Sequence, residues 1–109
     1  MKSYSSIIKE NEAFAKEILA KVDAKMSKVA LRSRNKLPDG VDAHGVHIDN
    51  SEKNPNNWTN GFFGGLCAML YNHTGNEEYL KTLEANEKLL DRALEEKYDT
   101  LHHDVGFMW

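Results

Sequence analysis

The stretch that decides the fold is WTNGFFGGLCAMLY at residues 58–71, in which apolar side chains are nearly continuous. This run predicts a helix over about Asn60–Asn72. Because its apolar residues occupy every side, we expect the helix to be buried all round. Gly61, Gly64 and Gly65 each cost about 1 kcal/mol of helix propensity relative to alanine, so they indicate the close approach of another backbone or a ligand.

An amphipathic helix is predicted on each side of this apolar helix. The first covers about Ser5–Arg34. The other begins at Asn76, a good N-cap, and ends near Lys97, and Gly75 supplies the left-handed residue that ends the apolar helix. Both have one apolar stripe and one charged face, as on the outside of a protein. The stripe residues are Ile7, Phe14, Ile18, Val22, Met26 and Val29 in the first, and Leu80, Leu83, Leu90 and Leu94 in the other.

The remaining segments are a long polar loop and a short apolar stretch that would begin another helix. Residues 37–57 predict a loop of about 20 residues, with a weak tendency to extended structure at 45–48. Residues 101–109 predict the start of a fourth helix. No strand alternation of any length appears, so the expected fold class is all-α. Short connections make consecutive helices antiparallel, so the second and fourth helices should begin at the same end of the molecule.

Composition excludes several kinds of partner. A chain of 109 residues predicts one domain, and a net charge of −3 leaves no basic excess for nucleic acid. No apolar run reaches ~18 residues and no signal peptide is visible, which favours a cytoplasmic protein without a membrane segment. The lone thiol, Cys67, lies in an apolar run and is interpreted as a buried hydrophobic residue rather than a nucleophile.

The histidines carry no strong metal signature. His44 and His47 are three residues apart, and His102, His103 and Asp104 are adjacent. Adjacent residues on a helix point in different directions and make poor co-ligands. We therefore expect no metal, and no cofactor motif is present.

Three residues at the two helix starts are candidates for function, each with a structural alternative. Trp58 could stack on a sugar ring or close the core above the apolar helix. Asn60 could cap that helix, whose positive end would also favour a carboxylate. Asp104 lies among histidines and apolar residues that would raise its pKa by desolvation, as a general acid requires. Its alternative role is the N-cap of the fourth helix.

Three motifs together resemble the unsaturated glucuronyl hydrolases, glycoside hydrolase family 88. They are NWTNGFFGGL at residues 57–66, YNHTGNEEY at residues 71–79 and HDVGF at residues 103–107. The preceding LPDG at residues 37–40 also resembles the family's loop, and a family acting on unsaturated rhamnogalacturonyl sugars is closely related. The resemblance extends over essentially the whole chain.

The resemblance implies an (α/α)6 toroid of six helical hairpins, of which residues 1–109 would be an N-terminal part. It implies an enzyme that hydrates the 4,5-double bond of a terminal unsaturated uronic acid on lyase-generated oligosaccharides. Asp104 matches the first of two functional aspartates and Trp58 the aromatic residue of the sugar subsite, while Asn60 and His103 are weaker matches. No residue here matches the family's second aspartate, so we expect this chain alone to be inactive.

A non-catalytic helical interaction module is the alternative function. The sequence also predicts self-association, because few helices are available to cover the apolar ones. The apolar patch expected to face water comprises Phe62, Phe63, Leu66, Met69, Leu70, Phe107, Met108 and Trp109.

Overall fold

The computed structural model describes all 109 residues and confirms an all-α chain with one small sheet. Helix α1 spans Tyr4–Arg32, α2 spans Gly61–Thr74 and α3 spans Glu77–Glu96. A β-hairpin of β1 (Pro38–Val41) and β2 (His47–Asp49) lies between α1 and α2. None of the helices has the length and apolarity needed to span a bilayer.

Helix α1 packs on the rest of the chain only near its C-terminal end. Ser3 caps its start by accepting a hydrogen bond from the Ser6 amide, and Val29 and Ala30 are its buried residues. The apolar stripe predicted for this helix is covered only in part, because Phe14 is 64% exposed and Ile7, Ile18 and Val22 are also exposed. The first half of α1 therefore projects from the body of the molecule.

The expectation of a loop at residues 37–57 is wrong in part, because a β-hairpin forms within it, and β2 overlaps the weak extended tendency noted at residues 45–48. Pro38 pairs with Asp49, and Val41 pairs with His47, in antiparallel register. The Asp42 carboxylate closes the turn by accepting hydrogen bonds from the amides of His44 and Val46. A side chain that bonds to nearby amides stabilises a turn that hydrophobic periodicity does not reveal.

Helices α2 and α3 form the centre of the fold as a hairpin joined by Gly75 and Asn76. Both connecting residues act as predicted: Gly75 has a φ of 69°, and Asn76 caps α3 by accepting from the Glu78 amide. The buried side of α3 differs from the predicted leucine stripe, because Leu94 is 45% exposed. The residues that α3 buries are Tyr79, Thr82, Asn86, Leu90 and Ala93.

Two small cores result from this packing. One joins α1, α2 and α3 and consists of Val29, Ala30, Phe63, Cys67, Leu70 and Tyr79. Tyr79 also donates a hydrogen bond from its hydroxyl to the Asp23 carboxylate, which ties α3 to α1. The other core lies beside the chain's last residues and consists of Leu37, Leu90, Ala93 and Met108.

Helix α2 is not buried on every side within this chain. Phe62, Leu66 and Met69 are 51%, 49% and 70% exposed. Phe107 and Trp109 are exposed too, as predicted for the apolar patch, whereas its other three members, Phe63, Leu70 and Met108, are buried.

The fourth helix is not formed as an α-helix. Residues 98–107 instead make two short 3-10 helices, Tyr98–Thr100 and His103–Phe107. We refer to His103–Phe107 as the Asp104 turn, and to the 3-10 helix Trp58–Asn60 before α2 as the Trp58 turn.

Candidate functional site

The Trp58 turn and the Asp104 turn lie against each other at one end of the molecule. Asn56 joins the segments that lead into the two turns, because its side-chain amide donates to the Thr100 carbonyl at 2.7 Å and its own carbonyl lies 3.1 Å from Nε2 of His102. The prediction that the two segments share one end of the fold is therefore confirmed. The result brings an exposed indole, two imidazoles and a carboxylate onto one surface.

Trp58 forms the aromatic part of this surface. Its ring centroid lies 5.6 Å from that of Phe62 and 5.9 Å from that of Phe107, in edge-on arrangements. Edge-on aromatic pairs are favourable and fix the orientation of the indole. Because Trp58 remains 42% exposed, it is not a core residue here and keeps area available for stacking.

Asn60 is almost completely buried and holds the loop before α2. Its side-chain oxygen accepts from the Asn50 amide, and its nitrogen donates to the carbonyls of Asn54 and Pro55. The capping interpretation is wrong, because the Asn60 side chain makes no capping bond to α2. A buried amide with every hydrogen-bonding group in use indicates a structural contribution to the shape of the Trp58 turn.

Asp104 lies at the open edge of the surface, with a side chain 40% exposed. It is not an N-cap, since His102 takes that position and accepts from the Asp104 amide. Phe107 and Trp109 remain 61% and 50% exposed, so the apolar enclosure expected around this carboxylate is not completed by these 109 residues.

The two histidines converge on the Asp104 carboxylate. Its Oδ2 atom lies 3.3 Å from Nε2 of His103 and 3.9 Å from Nδ1 of His102. The expectation that these adjacent side chains point apart is wrong, because donor atoms of all three lie within 4.8 Å of one another. The other histidine pair, His44 and His47, forms no comparable cluster.

Sequence reasoning missed the asparagines that shape this site. Asn50 bonds to both Asn60 and the Asp39 carboxylate, and Asn56 bridges the segments that lead into the two turns. The available signal was the density of asparagine between residues 50 and 60, because asparagine side chains bond readily to backbone groups in turns.

An open groove beside the site is lined by α2, α3 and the last three residues of the chain. Its volume is about 880 Å³, and Phe62, Leu66, Phe107 and Trp109 contribute much of its apolar wall. Gly61 and Gly64 meet close neighbours there: a Cβ on Gly61 would overlap the Met108 backbone, and one on Gly64 would lie 3.3 Å from a methyl carbon of Leu83. The backbone approach predicted for glycine thus occurs at Gly61.

Comparison with known proteins gives one partial match. No family model and no solved structure matches the chain. A stretch of 56 residues, 48% of this chain, is 38% identical to an unsaturated glucuronyl hydrolase of Bacillus sp. (strain GL1). That stretch covers 14% of the relative's length. The match supports a relationship to a hydrolase over part of the chain.

Proposed function

We propose that this chain forms the first part of a glycoside hydrolase domain that removes a terminal 4,5-unsaturated uronic acid from oligosaccharides. The observation that carries the proposal is the contact between the Trp58 and Asp104 turns, which puts an exposed aromatic residue and a carboxylate at one end of the fold. The partial match to an unsaturated glucuronyl hydrolase agrees with it. The proposed frame is the (α/α)6 toroid, with α2 as an inner helix.

The proposed reaction adds water across the carbon–carbon double bond of the unsaturated sugar. A proton is added to one carbon and the oxygen of water to the other, which converts the vinyl ether into a hemiketal. The hemiketal then opens and releases the neighbouring sugar as an alcohol. Asp104 would transfer a proton, Trp58 would stack on the sugar ring, and His103 would bind the substrate beside the carboxylate.

A second carboxylate is required by the resemblance and would come from further residues of the domain. Asp91 of α3 accepts a hydrogen bond from the Trp109 indole and is engaged there. We therefore expect the 109-residue chain itself not to hydrolyse unsaturated disaccharides. Loss of the near-ultraviolet absorbance of the double bond provides the assay.

The test uses a longer protein that carries this chain and has measurable activity. Asp104→Asn keeps the shape of the side chain and removes its proton transfer, so turnover should fall by about 10²–10⁴-fold. The matched control is Asp99→Asn, an exposed carboxylate five residues earlier, which should keep normal turnover. Near-normal turnover of Asp104→Asn would leave the carboxylate a structural residue of its turn.

A non-catalytic interaction module is retained as the alternative because α2 has an exposed apolar side. Phe62, Leu66 and Met69 lie on it, and contiguous apolar surface in water favours association.

We propose that the isolated chain forms a symmetric dimer through this face. Light scattering after size exclusion should give a molecular mass of twice 12.4 kDa. Met69→Glu should return the chain to a monomer. The control is Tyr98→Glu, on another segment and at a similarly exposed residue, which should leave the dimer intact. A stable monomer of the unchanged chain would contradict this.

A further inference from the structure

The convergence of His102, His103 and Asp104 has a second chemical use, which excludes proton transfer by Asp104 while the site is occupied. Two imidazoles and a carboxylate place donor atoms within 4.8 Å of one another at an accessible edge of the molecule. We propose that these three residues form a binding site for a divalent transition-metal ion such as Zn²⁺.

The backbone explains why neighbouring residues can act together here. His102 is fully extended, with φ of −135° and ψ of −179°, and the Asp104 turn begins directly after it. In a continuous α-helix, consecutive side chains would be about 100° apart around the axis. The change from extended to 3-10 backbone directs Nδ1 of His102 and Nε2 of His103 toward the same carboxylate oxygen.

Hydrogen bonding fixes the tautomer of His102 that a metal ion requires. The Asn56 carbonyl can only accept, so Nε2 of His102 carries the proton and donates to it. Nδ1 therefore carries the lone pair. Histidine ligands of metals commonly donate their other ring N–H to a backbone carbonyl in this way. The bond that Nδ1 now accepts from the Asp104 amide is long, at 3.3 Å, and a metal ion would replace it.

The donor set selects the class of metal. Imidazole with carboxylate suits Zn²⁺, Cu²⁺ and Ni²⁺, whereas Mg²⁺ and Ca²⁺ prefer oxygen ligands alone. Ligand atoms around a tetrahedral zinc ion lie about 3.3 Å apart, given bonds of about 2.0–2.1 Å. The His103–Asp104 separation is 3.3 Å, the His102–Asp104 separation is 3.9 Å, and all three donor atoms lie within 4.8 Å of one another. Side-chain rotations must therefore bring the imidazoles closer together to bind one ion. Three protein ligands leave the fourth position to water.

The experiment is a calorimetric titration of zinc chloride into the 109-residue chain, without any sugar. We expect one Zn²⁺ per chain and no matching binding of Mg²⁺. His103→Gln and Asp104→Asn should each weaken binding about tenfold or more, since even supporting partners of metal ligands are worth 10–100-fold. His103 is 89% exposed, so its replacement should not disturb folding.

The matched control is His44→Gln, which removes an exposed histidine of the hairpin turn and should leave zinc affinity unchanged. Absence of zinc binding would overturn the proposal. So would unchanged affinity in His103→Gln, equal loss in His44→Gln, or equal binding of Mg²⁺. The zinc site does not rest on the proposed hydrolase activity, because the titration contains no substrate and measures no turnover.

Discussion

Two glycines of α2 provide a matched test of how the Asp104 turn is held in place. A Cβ on Gly61 would lie 2.6 Å from the Met108 Cα and 2.7 Å from its carbonyl carbon. Backbone atoms cannot rotate away, so Met108 would have to move, and such overpacking typically costs about 1–3 kcal/mol. A Cβ on Gly65 meets no heavy atom within 4 Å, so alanine there gains about 0.8–1.0 kcal/mol of helix propensity.

Thermal unfolding followed by circular dichroism at one protein concentration should separate the two variants. In a domain of about this size, 1 kcal/mol shifts Tm by about 4–8 °C. Gly65→Ala should therefore raise Tm by about that amount, and Gly61→Ala should lower it by a similar amount or up to threefold more. Gly61→Ala should also change the near-ultraviolet signal of Trp58, whose ring packs on Phe107. If the Tm of Gly61→Ala equals or exceeds that of the unchanged chain, the packing of Met108 on α2 does not hold the Asp104 turn.

Two further predictions concern titratable groups away from the site. Hydrogen bonds from Arg34 and then Lys81 lower the pKa of Glu78 from 4.5 to about 2, so its stabilising effect should be present above pH 4.5 and be lost as pH falls through about 2. Denaturant midpoints of the unchanged chain and Glu78→Gln should differ near neutrality and converge at about pH 2, whereas the exposed Glu84→Gln should follow the unchanged chain throughout. Burial raises the pKa of the Cys67 thiol to about 11, so a thiol reagent should label the folded chain slowly and the chain in denaturant at once. Fast labelling of the folded chain would contradict the interpretation of Cys67 as a core residue.

Local signals predicted the helical hairpin well. Gly75 and Asn76 end α2 and begin α3 as expected, since each residue's own backbone preference or side-chain bond determines the boundary. The face of α1 was predicted less well. Periodicity identifies residues that share one side, such as Phe14 and Ile18, but it does not reveal whether a neighbouring element covers them. In this chain nothing covers that side of α1 before Leu19.

The candidate site was predictable in its location and not in its details. The convergence of the Trp58 and Asp104 turns follows from antiparallel connections, which sequence can indicate. The caps considered for Asn60 and Asp104 do not form. The loop before α2 uses the Asn60 side-chain amide, and His102 rather than Asp104 caps the Asp104 turn. Such choices depend on the positions of Asn50 and Asn56, which are fixed only in the folded chain.

The three glycines also bear on how α2 is used. The Met108 backbone explains Gly61 and the Leu83 side chain explains Gly64, but nothing in this chain approaches Gly65. On α3, the side-chain oxygen of Asn86 lies beside Gly64 and is buried without a hydrogen-bond partner, although the Asn86 side-chain nitrogen donates to the Lys36 carbonyl. An unpaired buried oxygen costs about 1–3 kcal/mol, and an uncontacted helical glycine costs about 1 kcal/mol more. Gly65 and Asn86 both line the groove between α2 and α3. This groove therefore has the chemistry of a packed surface, as the proposed position of α2 as an inner helix requires.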